Sequence, residues 1–534
     1  MSTNSKVDAI VVGGGHNGLI TAGYLAKAGL KVTVLERRPI VGGSCVTEEI
    51  APGFRVSRTS YACSLLMPEI VRDFRMKEQG FHIYTSDPAG FVPFPDGRYL
   101  LTYSDTARFN QQVAKFSARD AGALEEFESD LSRLRPLVED ILRTTPPNFP
   151  PSRIKDYWSF LKLARKVKRL DKKDLRFFME LMTASCAEIL DKRFESTEIK
   201  ATLAHQGTIG ACVGVMSPGS AYVMLHDSVG GVDGKPGAWG YVRGGMGTLT
   251  QILARTCRDR GVEIRTEAEV ERILVRNGRA QGVVLQNGDE LRSRIVVANT
   301  DPKRTFLEMI EAQHLDAGFL EDIRNFKIEG SSIKVNCALG ELPNWKCLPG
   351  QDPKAPQHRA MIEIGPSMEY LEQAFDDMKY GRPSRRPFIE GTIASTVDDS
   401  LAPEGKHVLS LFVQYGPYHL KEGSWPEIRE EVGDNIIDTL AEYAPNIKSA
   451  IIAREVISPW DLEQEFGITG GQIFHGEISQ DQLFCLRPAW GWADYRTPVR
   501  GLYLCGSGAH PGGGVMGGPG MNASREILRD FGKR

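Results

Sequence analysis

The 534-residue sequence lacks any apolar run of about 18 residues, the length that a membrane-spanning helix requires. Its first residues also lack the charged segment followed by an apolar segment that marks a secretory signal peptide. The net charge is −3, whereas a general nucleic-acid binder would be basic, so no nucleic-acid partner is expected. A cytoplasmic or peripherally membrane-bound protein is expected.

The nine cysteines form no CxxC or CxxxxC pair. Thiol–disulfide exchange therefore has no reactive pair to carry it. HExxH, GxSxG and P-loop motifs are absent as well, so zinc-dependent hydrolysis, serine hydrolysis and nucleotide hydrolysis have no support. No metal site is predicted. A chain of this length exceeds one hydrophobic core, which predicts two or three folding units.

The 55 glycines concentrate at two places, and the first is a GxGxxG motif. A predicted buried strand over residues 8–12 leads into it, and a helical pattern follows. Gly13 permits the tight turn, Gly15 lets the backbone approach a pyrophosphate, and Gly18 lets helix and strand pack closely. Glu36 ends the next predicted strand and is placed to bind ribose hydroxyls. The motif predicts a dinucleotide site without deciding between NAD and FAD.

The second concentration of glycine lies near the end of the chain. A predicted strand ending at Cys505 is followed by the glycine-rich run from Gly506 to Gly520 and then by a predicted helix. Such a run before a helix indicates backbone held close to a ligand. Gly42 and Gly43 add a further loop near the first motif.

The runs VVGGGHNGL, VTEEIAPGF, GAWGYVRGGMG and CGSGAHPGGGVMGGPG resemble those of the phytoene desaturase and flavin amine oxidase superfamily, above all its phytoene dehydrogenase-related branch. The resemblance implies FAD as the cofactor. The fold class that it implies is α/β, a glutathione-reductase-type Rossmann FAD-binding domain with an inserted α+β substrate domain. The implied FAD domain comprises residues 1–75, 239–305 and 495–534, and the substrate domain comprises 76–238 and 306–494.

The same resemblance assigns individual residues to the cofactor. They are Gly13, Gly15, Gly18 and Glu36 for the ADP half, Gly42 and Gly43 for the pyrophosphate, Val270 for adenine, Gly506 for the diphosphate and ribityl chain, and Gly513, Gly514, Val515, Met516 and Met521 for the isoalloxazine ring. Many superfamily members carry arginine where this chain has Ser44. Arg37 and Arg38 are alternative phosphate contacts, or else exposed residues of a solvated loop.

Residues 153–176 contain ten Lys or Arg and three Asp, with aromatic residues near the start. The spacing predicts one basic amphipathic helix. Two interpretations stay open. Its apolar side packs on the protein body, or it lies in a lipid interface as a peripheral membrane contact.

Candidate residues near the substrate are Trp239 and Tyr241, which precede a glycine pair, Tyr61, and His475. His475 is the candidate for proton transfer because the ordinary pKa of histidine lies near neutrality, with a structural hydrogen-bonding role as the alternative. The polar run around His475 adds Phe474, Glu477, Gln482 and Arg487.

The leading functional hypothesis is an FAD-dependent oxidoreductase that dehydrogenates or isomerises a carbon–carbon bond of a hydrophobic, polyene-like or isoprenoid-like substrate. Since the chain has no second GxGxxG motif between a strand and a helix, electrons are expected to pass to oxygen, a quinone or another carrier. One alternative is a flavin amine oxidase, and another is a non-catalytic lipid carrier or scaffold of the Rab GDP-dissociation-inhibitor type. The oligomeric state stays open, a homo-oligomer included. By the resemblance, a eukaryotic source would make a mitochondrial location an option.

Overall fold

The computed structural model describes residues 7–232 and 234–532. Residues 1–6 and 533–534, at the ends of two predicted FAD-domain ranges, lie outside the described residues. The strands of the described chain are β1 Ala9–Val12, β2 Val32–Leu35, β3 Thr47–Ala51, β4 Phe54–Ser57, β5 Ile83–Thr85, β6 Gly90–Pro93, β7 Tyr99–Thr102, β8 Gly231–Val232, β9 Lys235–Pro236, β10 Gly240–Val242, β11 Glu263–Arg265, β12 Val270–Arg276, β13 Arg279–Leu285, β14 Glu290–Arg292, β15 Ile295–Ala298, β16 Ser332–Leu339, β17 Met361–Ile364, β18 Phe388–Thr392, β19 His407–Gln414, β20 Ile451–Ile457 and β21 Leu502–Leu504.

The helices of the same residues, joined by short 3₁₀ and π turns, are α1 His16–Lys27, α2 Pro68–Asp73, α3 Thr106–Val113, α4 Ala118–Arg143, α5 Ile154–Val167, α6 Lys172–Thr183, α7 Cys186–Asp191, α8 Thr197–Ala204, α9 Ser220–Asp227, α10 Gly247–Asp259, α11 Ala317–Asn325, α12 Pro356–Arg359, α13 Met368–Lys379, α14 Trp425–Ala441, α15 Ile447–Ala450, α16 Pro459–Phe466 and α17 Gly518–Asp530. Within the described ranges, no helix combines the length and the apolar character that crossing a bilayer requires.

Five parallel strands form the first sheet, in the order β11–β2–β1–β15–β21. β1, β2 and β15 are buried along their whole length, as expected for parallel strands covered on both faces. All five strands fall in the three ranges predicted for the FAD domain, although they come from distant parts of the chain. The expected α/β fold class is confirmed, while the residue boundaries of the two domains stay a prediction.

The second sheet has seven strands in the order β20–β16–β19–β18–β17–β6–β7, and only the pair β17–β6 is parallel among them. Sequence alternation predicts β16 as a strand with one buried face, but all eight of its residues are buried. Its apolar face packs in a core that includes Ile333, Val335 and Trp345. The polar face, which carries Lys334, is covered as well because it closes the functional site described below.

The single helix predicted over residues 153–176 is wrong. The structure has two helices, α5 and α6, and the side chain of Asp171 accepts a hydrogen bond from the Asp174 amide to cap the start of α6. An N-cap residue has extended backbone geometry, so the first helix has to end before it. Tyr157 is 63% exposed and Leu161 is 42% exposed, so these residues do not pack on the protein body.

Candidate functional site

The turn between β1 and α1 brings three of the predicted cofactor glycines together. Gly13 has a φ of +98°, a conformation that glycine adopts without strain. A Cβ atom on Gly18 would lie 2.2 Å from the Gly13 carbonyl oxygen, so α1 begins in direct contact with the end of β1. No side chain caps α1, and its first turn contains no acidic residue. Its first backbone N–H groups are therefore suited to bind an anion.

Glu36 is fixed at the end of β2 by two backbone amides. Its Oε2 accepts a hydrogen bond of 2.8 Å from the Gly14 amide, and its Oε1 accepts one of 2.9 Å from the Arg38 amide. Each carboxylate oxygen keeps further acceptor capacity for ribose hydroxyl groups. The carboxylate is thus pre-oriented beside the glycine turn.

Replacing Glu36 with glutamine is expected to weaken FAD binding about tenfold or more, because a hydrogen bond to a charged acceptor contributes about 1.5–3 kcal/mol. Glutamine keeps the size of the side chain but removes its charge. Titration of the apoprotein with FAD, followed by flavin fluorescence, measures the change. Glu271→Gln, at an exposed position on β12, is the matched control and should leave the affinity unchanged. Equal affinities in both variants would contradict the role given to Glu36.

The turn, Glu36 and the second glycine loop open into one nucleotide cavity with an empty volume of about 850 Å³. Six residues that the resemblance assigns to FAD line it, namely Gly13, Gly15, Glu36, Gly42, Gly43 and Val270. Ser507 of the second glycine-rich run also lines it, as do Asn299 and Arg304, to which no sequence motif points. They come from the loops after β15 and β21, because the carboxyl ends of parallel strands meet at one edge of the sheet.

Two buried polar atoms of this cavity have no hydrogen-bond partner, the Nδ1 of His475 and the Nε of Arg304. Unpaired buried polar groups are costly, so their presence in a cavity indicates a polar ligand. The oxygen atoms of an FAD diphosphate supply suitable partners, and the residues present therefore fit the cofactor. The sequence predicts proton transfer at the substrate for His475, but this residue lines the nucleotide cavity instead. Burial also lowers the pKa of His475 below its ordinary value.

The other residues assigned to FAD lie in several places outside the lining of the nucleotide cavity. A Cβ on Gly506 would lie 2.7 Å from the Asn299 carbonyl oxygen, and one on Gly513 would lie 2.6 Å from Phe474. Both glycines are therefore in close packing contacts. Met516 lines a separate cavity near α4, and Met521 is buried in α17. Gly514 and Val515 reach the second cavity of the site.

Arg37 and Arg38 do not lie on a solvated loop. Arg37 donates hydrogen bonds to the carbonyl oxygens of Gln464 and Glu465, and Arg38 pairs with Glu48 at 2.9 Å. Arg37 and Arg304, but not Arg38, line the nucleotide cavity. Arg304 is therefore a cationic contact that no local pattern in the sequence singles out.

A second cavity, here called the chamber, adjoins the nucleotide cavity and has an empty volume of about 1360 Å³. Ser44 and Ile468 line both cavities, so the two meet there. Apolar side chains form much of the chamber wall, including Leu65, Ile209, Val223, Trp239, Phe412, Leu462, Ile473 and Phe474. A ligand that extends from the nucleotide cavity past Ser44 would reach the chamber.

A row of side chains in strict register crosses the chamber wall. Glu363 on β17 pairs with Glu390 on β18, Glu390 pairs with Phe412 on β19, and Phe412 pairs with Lys334 on β16. Directly paired residues on adjacent strands point to the same face, and all four line the chamber. The second sheet thus presents two carboxyl groups and one amine to the cavity.

Burial and neighbouring groups shift the pKa values of Glu390 and Lys334. Desolvation, followed by the nearby charge of Glu363, raises the pKa of Glu390 to about 7, and the hydroxyl of Tyr61 donates a hydrogen bond to this carboxylate. Desolvation lowers the pKa of Lys334 to about 7. The Lys334 Nζ lies 2.6 Å from the Ser410 Oγ and 3.9 Å from the centroid of the Tyr61 ring. Lys334 and Glu390 therefore both titrate near neutrality at the chamber wall, with Phe412 of β19 between them in the row.

Two further residues of the chamber have polar atoms without a hydrogen-bond partner. Both ring nitrogens of His226 and the Oγ of Ser332 are buried without a hydrogen bond. Desolvation, then the charges of Glu390 and Glu363, raise the pKa of the Asp227 carboxyl to about 8. Glu363 itself is paired with the Nδ1 of His205 at 3.0 Å. The chamber is therefore apolar over much of its wall but offers several hydrogen-bonding groups to a ligand.

The substrate residues predicted from sequence divide between different places. Trp239 and Tyr61 line the chamber, whereas Tyr241 lines a smaller neighbouring cavity together with Tyr61. Phe474 also faces the chamber.

Arg487 does not reach the chamber. Its buried guanidinium donates hydrogen bonds to the carbonyl oxygens of Phe474, Gly476, Glu477 and Ser507, so it fixes two loops together. Gln482 bonds to the backbone of Lys327. Glu477 accepts from the Cys212 amide. Arg487, Gln482 and Glu477 therefore hold loops together rather than facing the chamber.

A model of the family described as flavin containing amine oxidoreductase matches residues 18–526. The mouse protein named pyridine nucleotide-disulfide oxidoreductase domain-containing protein 2 is 41% identical, over 98% of this chain and 94% of that protein. The phytoene desaturase of Neurospora crassa is 23% identical, over 96% of this chain and 83% of that protein. The solved structure of putrescine oxidase with bound putrescine has a TM-score of 0.60 at 17% identity, over 98% of this chain and 99% of that one.

The family match covers the second sheet, four of the five strands of the first sheet, the whole chamber and most of the lining of the nucleotide cavity, and the mouse relative aligns over nearly the whole chain. The superfamily resemblance seen in the sequence motifs is thereby confirmed, and so is FAD as the cofactor. The chain belongs to the family of flavin-containing amine oxidoreductases and is an FAD-dependent oxidoreductase.

Proposed function

We propose that the enzyme dehydrogenates a carbon–carbon bond of a largely apolar substrate bound in the chamber. The observation that carries this proposal is the pair of groups, Lys334 and Glu390, that titrate near neutrality on the chamber wall. Dehydrogenation removes a hydride and a proton from adjacent carbons. FAD supplies the hydride acceptor when bound, and the protein has to accept the proton.

The Tyr61–Glu390 pair and Lys334 are the proton acceptors in this proposal. They lie close together, since the Lys334 Nζ contacts the Tyr61 ring and the Tyr61 hydroxyl bonds to Glu390. Burial keeps bulk water from competing for the proton and holds both pKa values near 7. A group with a pKa near the working pH is the most effective general base.

The alternative of amine oxidation requires an aromatic cage with room for the amine between two rings. Tyr61 and Phe412 are the stacked aromatic pair of the chamber, with ring centroids 6.0 Å apart and planes at 27°. Aromatic pairs in mutual contact have centroids about 4.5–7 Å apart, so this pair leaves no gap for a third group. This geometry favours dehydrogenation over amine oxidation.

The substrate in this proposal is hydrophobic over most of its length and carries one uncharged hydrogen-bonding group. The apolar wall supports the first part, and the unpartnered His226 and Ser332 support the second. A pure hydrocarbon would leave these polar groups buried without a partner, which costs about 1–3 kcal/mol each. An isoprenoid-like chain with a hydroxyl or carbonyl group would pack against the apolar wall and hydrogen-bond to His226 or Ser332.

The electron acceptor is proposed to be oxygen, a quinone or another carrier rather than a protein disulfide. Cys45 and Cys63 follow the Gly42–Gly43 loop along the chain, and burial raises the pKa of both thiols to about 12. A thiol with such a pKa forms almost no thiolate near neutrality, and the thiolate is the reactive species.

The direct test is anaerobic mixing of the holoenzyme with apolar alcohols, apolar ketones, hydrocarbons of matched length and primary amines. Loss of the oxidised flavin absorbance with the alcohol or ketone, together with a product two mass units lighter that contains a new carbon–carbon double bond, is the expected result. Reduction by amines alone, with an aldehyde product, would refute the proposal.

The pH dependence follows from the same two groups. The acceptor forms are the uncharged amine of Lys334 and the ionised carboxylate of Glu390, and both gain population as the pH rises through about 7. kcat/KM is therefore expected to increase with pH up to a plateau above that value. Because the groups interact, the apparent pKa belongs to the pair. A profile that is flat between about pH 5.5 and about pH 8.5 would contradict this assignment.

A further inference from the structure

The helix α5 presents a set of exposed apolar side chains, here called the aromatic patch. Its members are Phe149, Ile154, Tyr157, Trp158, Leu161 and Trp490, between 42% and 78% exposed. The four residues on α5 are spaced three or four apart and share one helix face. Phe149 extends the patch, because its ring contacts Trp490 at 5.1 Å and Phe160 at 6.0 Å. Isolated exposed apolar residues need no explanation, whereas a contiguous group indicates an interaction site.

The patch is held on a fixed support. Lys155 forms ion pairs with Asp494 at 2.9 Å and Glu526 at 3.2 Å, and Arg153 pairs with Asp494 at 3.2 Å. The side chains of Asp494 and Glu526 are 1% exposed, so α5 is anchored to the body near α17. Asp156 is also buried and accepts hydrogen bonds from backbone amides before the helix. These contacts fix the first turn with its apolar residues directed into solvent.

Unpaired cations lie beside the patch. Lys162, Arg165, Lys168, Arg169 and Lys172 form no side-chain ion pair with any residue in the described ranges. Arg165 follows Leu161 by one helical turn on the same face. The acidic residues of this segment do not balance them, since Asp156 and Asp174 are buried and hydrogen-bonded, and Asp171 is a single exposed carboxylate that caps α6. The surface therefore combines exposed aromatic rings with an excess of positive charge.

This combination fits an anionic lipid surface better than a second copy of the chain. A twofold interface would bring the patch and its cations against the same cations, with repulsion as the result. Tryptophan and tyrosine favour the membrane–water boundary, and basic residues beside them attract anionic headgroups.

The position of the patch relative to the chamber supports the same partner. Lys166 of α5 forms an ion pair with Asp140 of α4. The adjacent residues Glu139 and Arg143 line a cavity whose wall also contains Leu65, and Leu65 lines the chamber too. α5 thus contacts the helix that lines a cavity next to the chamber, a position that suits an enzyme that takes an apolar substrate from a bilayer.

We propose that the aromatic patch and the cations of α5 form a docking surface for an anionic lipid bilayer. The rings enter the headgroup boundary, and the cations bind the phosphates above it. Docking itself does not require the reaction in the chamber, whereas the supply of an apolar substrate from the bilayer rests on the proposed function.

The test is co-sedimentation of the FAD-loaded enzyme with phosphatidylcholine vesicles that contain or lack about 30% phosphatidylglycerol. The wild type is expected to bind the anionic vesicles and to bind neutral ones far more weakly. The double variant Tyr157→Ser/Trp158→Ser should lose binding at least about tenfold. Lys162→Gln/Arg165→Gln should weaken binding to anionic vesicles only, by about twenty-fivefold, at about a factor of five per cation.

Tyr380→Ser is the matched control, since Tyr380 is an aromatic residue that is 66% exposed beyond the end of α13. Flavin content and thermal unfolding of every variant should match the wild type, because the changed side chains are exposed. Absence of binding to anionic vesicles, or unchanged binding by the two double variants, would overturn the proposal. A dimeric wild type and a monomeric Tyr157→Ser/Trp158→Ser variant, as measured by light scattering, would also overturn it. In that case the patch would bind a second copy of the chain.

Discussion

Replacing Lys334 with methionine is expected to slow anaerobic flavin reduction by substrate about a thousandfold, within the range of about 10²–10⁴ that general acid–base groups contribute. Methionine has a similar length and is apolar, so the buried position accepts it without a large cavity. The amine removed is the one that faces the chamber beside Tyr61 and titrates near neutrality. Stopped-flow measurement of the oxidised flavin absorbance gives the rate directly.

Lys334→Arg tests whether residue 334 acts as a proton acceptor or only as a positive charge. Arginine stays protonated at every working pH, so it restores charge but cannot accept a proton. The arginine variant should therefore be nearly as slow as the methionine variant. Lys346→Met, at an exposed position, is the control and should react at the wild-type rate. Recovery of the rate in Lys334→Arg would mean that the residue acts through its charge alone, against the proposed role.

Glu390→Gln removes the second proposed proton acceptor and can be combined with Lys334→Met in a double variant. If Lys334 and the Tyr61–Glu390 pair act as a unit, the double variant should be little slower than either single variant. Independent contributions would multiply instead. Saturating FAD in every assay keeps this comparison free of changes in cofactor affinity.

The sequence was sufficient to predict the nucleotide cavity because its information is local. Strand, glycine turn, helix and carboxylate follow each other between Ala9 and Glu36, and each role depends on backbone geometry within that segment. The loop after β15 adds Asn299 and Arg304 through sheet order, which no local pattern contains.

The row of ionisable residues in the chamber could not be predicted in the same way. The alternation in β16 predicts a strand, and it places Lys334 on the polar face. That face is normally solvated, but here it is covered by elements from distant parts of the chain. The register that aligns Glu363 with Glu390 depends on pairings between β17 and β18. The sequence did place Tyr61 and Trp239 near the substrate, but it offered no sign that the polar face of β16 is buried beside them.

His475 was predicted from its residue type rather than from its position in the fold. Its residue type suits proton transfer, but residue type does not specify which of two adjoining cavities a side chain enters. The structure places it in the nucleotide cavity, with its backbone at a φ of +54°. The proton-transfer role of His475 therefore stays a prediction, with its side chain at the nucleotide cavity.

Replacing Gly18 with alanine is expected to lower FAD affinity about a hundredfold. The added Cβ would lie 2.2 Å from the Gly13 carbonyl oxygen, a backbone atom that cannot rotate away. The start of α1 would have to move away from β1, which shifts the amides that face the diphosphate. Overpacking of this kind costs about 1–3 kcal/mol or more, equal to about one to two orders of magnitude in the dissociation constant.

Gly122→Ala in α4 provides the matched control, since a Cβ there meets no atom within 4 Å. The same chemical change should leave FAD affinity unaltered and raise the free energy of unfolding by about 0.5–1 kcal/mol, because glycine is a poor helix former. FAD titration of both apoproteins, with circular dichroism to confirm that each is folded, gives the comparison. Since α1 and α17 meet where the Thr21 hydroxyl donates to the Gly520 carbonyl, a displaced α1 also disturbs the glycine-rich end of the chain. Wild-type affinity in a folded Gly18→Ala protein would mean that the start of α1 does not hold the diphosphate.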